Sequence, residues 1–168
     1  MTTKSESSAT LYTPEQRARR DATRWTLVQG VLAPLQFGVF LVSVVLVVMA
    51  LDDPSLAPHA TLSVIVKTLI LYTIMITGSL WEKAVFGQYL FVRAFFWEDV
   101  VSMLVLALHT AYLLAVWQQW LPLREQLLLA LAAYAAYVVN AAQFLLKLRK
   151  ARLTSSPSLS PATVRAGP

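Results

Sequence analysis

The chain has 168 residues, 57% of them hydrophobic and 14% charged, with a net charge of +5, two histidines and no cysteine. A mean hydropathy of +0.59 is more apolar surface than a soluble domain of this size can hide, so the composition points to a membrane protein. Disulfides, thiolate metal sites and cysteine nucleophiles are excluded, a protein-bound zinc or di-iron site would be short of ligands, and no metal site is expected.

Residues 1–25 form a polar N-terminal segment with no apolar core followed by a small-residue cleavage site, which argues against a cleaved secretory signal and for a retained first span. Within it, "YTPEQRARRDATRW" opens as an amphipathic surface helix, with Thr13 as N-cap, Pro14 at the first helical position and Gln16 completing a capping box. Four apolar stretches then reach the roughly 20 residues that a helix needs to cross a bilayer: Thr26 to Ala50, Leu62 to Ala84, Ala94 to Val116 and Glu125 to Leu146. The expected fold is all-α, an integral membrane bundle of four transmembrane helices over 26–147, followed by a basic, Ser- and Pro-rich tail over 148–168 that reads as disordered.

Basic residues set the expected orientation. They stand before the first span (Arg17, Arg19, Arg20, Arg24), in the second connection (Lys83, Arg93) and after the fourth span (Lys147, Arg149, Lys150, Arg152), whereas "LDDPSLAPHAT" has none. The positive-inside rule then puts both termini and the middle loop in the cytoplasm, with Trp25, Trp81 and Trp97 at that interface and Trp117 and Trp120 at the other. Because the basic excess sits beside the spans, no nucleic-acid partner is implied.

Polar side chains inside a span cost about 2.5 to 3.5 kcal/mol per charge at the centre, so each needs a reason. Glu82, Glu98, Asp99, Asn140, Gln143 and Gln29 fall toward the cytoplasmic side, and Lys67 and His109 in the outer half. At about 100° per residue, Glu98, Ser102 and His109 share one face, Lys67, Gly78 and Glu82 another, and Asn140, Gln143 and Lys147 a third. Successive Glu98 and Asp99 diverge, so a close carboxyl pair requires Glu82 with either of them. A structural role competes with each reading: Glu82 marking the membrane edge, Glu98 and Asp99 as charges at a helix start, Lys67 snorkelling outward, His109 bonded to a backbone carbonyl, Asn140 and Gln143 as interhelical glue.

The blocks "YTPEQRARRDATRWTLVQGVLAPLQF", "IVKTLILYTIMITGSLWEKAVFGQYLF", "AFFWEDVVSMLVLALHTAY" and "LLALAAYAAYVVNAAQFLLKLR" resemble the 3-vinyl (formerly 2-vinyl) bacteriochlorophyllide hydratases, in order, from about Leu11 to Leu153. The resemblance implies a membrane enzyme of bacteriochlorophyll biosynthesis that adds water to the ring-A vinyl group of a magnesium chlorophyllide to give a 1-hydroxyethyl group. It implies a multi-pass protein of the bacterial inner, cytoplasmic or intracytoplasmic, membrane that needs no cofactor. Lipid, and either a homo-oligomer or other pigment-pathway enzymes, are the expected partners. Water addition needs a general acid and then a base. Desolvated carboxyls supply both, which nominates Glu98, Asp99 and Glu82 as catalytic. His109, Asn140, Gln143, Tyr137, Gln29 and Trp97 are the expected substrate contacts. His109 is also a candidate ligand to the substrate's magnesium, although it stands roughly 16 Å along the helix from Glu98. Two other classes compete: a non-catalytic tetrapyrrole-binding or pigment-assembly protein, and a small transporter subunit, which the lack of internal repeats disfavours.

Overall fold

A computed structural model describes residues 11–154, all helix and connection. Helix α1 spans Pro14–Ala22, α2 Arg24–Asp52, α3 Ala57–Phe86, α4 Phe96–Gln118 and α5 Leu123–Thr154. The last four are long and apolar enough to cross a membrane. Their outward faces carry large exposed apolar residues such as Leu27, Val45, Leu69, Ile76, Leu104 and Leu145, a surface that water would not tolerate and lipid would.

Local signals decide the ends. Thr13 Oγ1 accepts from Gln16 N–H while Gln16 Oε1 accepts from Thr13 N–H, so α1 begins on the expected capping box. Between α2 and α3, Asp53 accepts from Ser55 N–H and starts a 3-10 turn over Pro54–Leu56. The Ser55 side chain, together with this backbone hydrogen bond, holds the Asp53 carboxyl below the usual carboxylate range. Helix α3 ends at Gly87, whose φ of 86° is the left-handed conformation that glycine adopts without strain. Helix α5 runs past the expected boundary at residue 147 to Thr154, because "LRKARLT" contains no helix breaker; the Ser- and Pro-rich remainder of the tail lies outside the described residues.

Helices α2 and α3 pack along their length, as do α4 and α5, giving two antiparallel hairpins that meet over a smaller area where α2 faces α5 and α3 faces α4. Away from α1 the seam is filled by Phe40, Val47, Val64, Tyr112, Leu127 and Tyr134, with Ala60 and Ala130 allowing close backbone approach. At the α1 end a second cluster joins Tyr12, Val85, Val92 and Phe95, with Trp81 and Phe144 against it. Between these two apolar plugs the seam is polar.

Candidate active site

The connection between α3 and α4 makes the candidate site. Glu82 lies in the last turn of α3, and Glu98 and Asp99 in the first turn of α4, all three buried. Phe95, the N-cap of α4, supplies no side-chain cap. Asp99 instead reaches back into the connection, where its Oδ2 accepts the Phe91 N–H at 2.7 Å. Phe91 adopts a φ of 59°, a left-handed conformation that a bulky side chain takes only at a cost of about 1 to 3 kcal/mol, and such strain gathers where backbone must be aimed. The Asp99 carboxyl also faces that of Glu82, and the Val92 backbone N–H lies against Glu82. Glu82 Oε2 meets no hydrogen-bond donor.

Glu98 turns the other way. Its Oε2 accepts from Lys147 Nζ of α5 at 2.5 Å, and Lys147 also donates to the Ala94 carbonyl. One helical turn deeper, Asn140 Nδ2 donates to Ser102 Oγ at 2.6 Å. Of the two pairings open to Glu82, the fold makes the one with Asp99. Glu98 belongs to an ion pair that fastens α4 to α5.

The remaining expected residues divide. Gln143, beyond Asn140 on α5, has a buried Oε1 with no partner, and Tyr137 lies deeper on the same helix, with its ring against Phe40. Gln29 is engaged elsewhere, donating to Thr77 Oγ1 at 2.7 Å across the α2–α3 contact. Trp97 is 69% exposed on the outer face of α4 and does not join the cluster: one step before Glu98, it is turned by about 100° away from the seam. His109 is wholly buried, with Nδ1 bonded to the Val105 carbonyl at 2.8 Å and Nε2 unmet. The expectation that Lys67 snorkels outward fails. It shares an inward stripe with Val64, Thr68 and Leu71, and its Nζ sits 3.8 Å from the centroid of the Tyr137 ring.

Sequence reasoning missed the backbone donors of Phe91 and Val92, for which no side-chain pattern exists. It also missed the pairing of Lys147 with Glu98, although the stripe of Asn140, Gln143 and Lys147 carried a signal. A groove of about 660 Å³ between α2 and α3, lined by Pro34, Gly38, Val42, Leu62 and Val66 among others, is apolar, contains no carboxyl and lies apart from this cluster. Among the described residues no group of His, Asp and Glu is arranged to hold a metal ion.

A family model described as 2-vinyl bacteriochlorophyllide hydratase matches residues 12–150, which takes in α1 to α4 and all but the last turn of α5. The chain belongs to the 2-vinyl bacteriochlorophyllide hydratase family. The relative so named in Rhodobacter capsulatus is 62% identical over 146 residues, covering 87% of this chain and 85% of its own. The relative of the same name in Cereibacter sphaeroides is 64% identical over 143 residues, covering 85% and 89%. No solved structure matches. Family membership therefore extends over the carboxyl cluster, the strained connection and both fastening pairs, all of which fall inside the matched residues.

Proposed function

We propose that this chain hydrates the ring-A vinyl group of a magnesium chlorophyllide, with Glu82 and Asp99 as the catalytic pair. The nearly full-length match to named hydratases supports the reaction. The facing carboxyls of α3 and α4 support the site.

Two carboxyls in contact and out of water hold a proton between them, because full ionisation would set two like charges side by side. That proton passes to the terminal vinyl carbon, and the resulting cation is delocalised into the macrocycle. The ionised member of the pair stabilises this cation, and water attacks the inner carbon. The same pair takes up the proton released by the water, so one water is consumed and the acid is restored. Phe91 N–H fixes one Asp99 oxygen. Glu98, neutralised by Lys147, orients the start of α4 rather than donating the proton. Asn140, Gln143, Tyr137 and His109 are the proposed contacts to the macrocycle, a reading supported by the unmet buried atoms of Gln143 and His109.

The basic flanks of α2 and α5, against a connection around Asp52 to His59 that lacks Lys and Arg, support an orientation with both termini cytoplasmic. Glu82 and Asp99 then stand near the cytoplasmic interface of a bacterial inner membrane, where both water and an amphipathic pigment arrive. The test is direct: purified chain, 3-vinyl chlorophyllide and isotopically labelled water, with chromatography and mass analysis of the pigment. Gain of one labelled oxygen without added metal, nucleotide or flavin is expected. Pigment that binds but never gains the mass of water, at any pH tried, would favour a non-catalytic pigment-binding protein.

A further inference from the structure

The mechanism above leaves the deepest cation of the bundle without a role. Lys67 is 0% exposed, its Nζ lies over the Tyr137 ring, and it meets no hydrogen-bond acceptor. An aromatic face offsets part of the cost of burying an ammonium, but it does not satisfy the N–H donors as an oxygen does. His109, close enough on α4 to interact with Lys67 electrostatically, presents an Nε2 that is likewise unmet. Native interiors leave few such atoms unsatisfied, and each one that remains calls for an explanation. Two of them on facing helices, beside the aromatic pair of Tyr137 and Phe40, describe a seat for a flat ligand that carries an oxygen.

The separation from the carboxyl pair identifies which part of the ligand arrives there. Asp99 and His109 are ten residues apart on one helix, roughly 15 Å at about 1.5 Å per residue, a span comparable with the long dimension of a tetrapyrrole. On α3, Glu82 and Lys67 are fifteen residues apart, roughly 22 Å at the same rise. A macrocycle lying along the seam with its vinyl edge at Glu82 and Asp99 therefore turns its opposite rim toward Lys67, and the flexible lysine stem spans the remaining distance. Chlorophyllides carry a ring carbonyl on that rim. Resting on the proposed hydratase reading, we infer that Lys67 anchors the substrate by donating a hydrogen bond from Nζ to the carbonyl oxygen on the rim opposite the vinyl group. The anchor fixes the register of the macrocycle in the seam and so selects which edge meets the acids. It also makes that carbonyl a determinant of specificity.

The experiment compares two pigments on the full chain in detergent: 3-vinyl chlorophyllide, and the same pigment with its rim carbonyl reduced to a methylene. Dissociation constants are read by absorbance titration, which needs no turnover. The parent should prefer the carbonyl pigment by about tenfold or more, as a charge-assisted hydrogen bond provides, and Lys67→Met should bring the two within about twofold of one another. Absence of the preference in the parent, or its survival in Lys67→Met, overturns the anchor. Resonance Raman spectroscopy of pigment bound to the parent gives a second reading that does not depend on a variant folding. The carbonyl stretch should fall below its frequency in dry apolar solvent, and an unshifted stretch overturns the proposal. Hydration of both pigments with equal affinity would refute the anchor alone. A carbonyl preference on a pigment that is never hydrated would refute the hydratase reading and keep the anchor.

Discussion

Asp99 and Glu98 are neighbours in sequence with different surroundings, and amide substitutions separate their roles. Asp99→Asn and Glu82→Gln keep shape and hydrogen bonding but cannot pass a carboxylic proton, so each should lower turnover about 10²-fold or more while pigment still binds. Single-turnover hydration of prebound pigment is the measurement, since it reads chemistry apart from binding. Glu98→Gln removes the anion facing Lys147, whose side chain keeps some access to solvent. Leaving one partner of a largely buried pair alone should cost about 3 kcal/mol of stability. Its melting temperature should fall while turnover per folded molecule stays much closer to the parent than in the other two variants. Equal loss of turnover in all three would return Glu98 to the list of proton donors.

At the scale of elements, α1 and the α3–α4 connection support the acids from outside the spans. Tyr12 stacks on Phe86 at 5.8 Å and meets Phe95 at 6.4 Å, and burial raises its phenol above the ordinary range. The short helix that follows it therefore closes the end of the bundle next to Glu82. Thr13→Ala deletes one half of the capping box and should weaken α1 by about 1 kcal/mol. Hydrogen exchange of the α1 amides should quicken severalfold, with the exchange of α2 to α5 unchanged. On the inner side, Asn140→Leu breaks the tie to Ser102. Interhelical hydrogen bonds in membranes average about 0.6 kcal/mol, so the melting temperature should drop only slightly. A loss of pigment affinity beyond that small effect would mark Asn140 as a substrate contact as well as a tie.

For the whole molecule, two hairpins meet over a smaller, polar seam, which in the proposed function is where the pigment enters. The proposed orientation predicts that a reporter active only outside the cytoplasm gives signal when fused in 52–59 and none after Lys150; the reverse pattern would move the acids to the opposite face of the membrane. Much of this architecture was legible in the sequence. Span number follows from the length of apolar runs, the start of α1 from a capping box three residues long in reach, and the family from ordered blocks, all of which are properties of contiguous chain. What lay beyond it was the partnership of side chains. Glu98 and Asp99 differ by about 100° around their helix, and either one was sterically free to meet Glu82 until the packing of α5 set Lys147 against Glu98 and the connection set Phe91 N–H against Asp99. The position of Lys67 was undecided for the same reason. An ammonium on a flexible stem reaches the interface or the interior according to which way its helix is rotated, and that rotation is fixed only when the three other helices are packed around it.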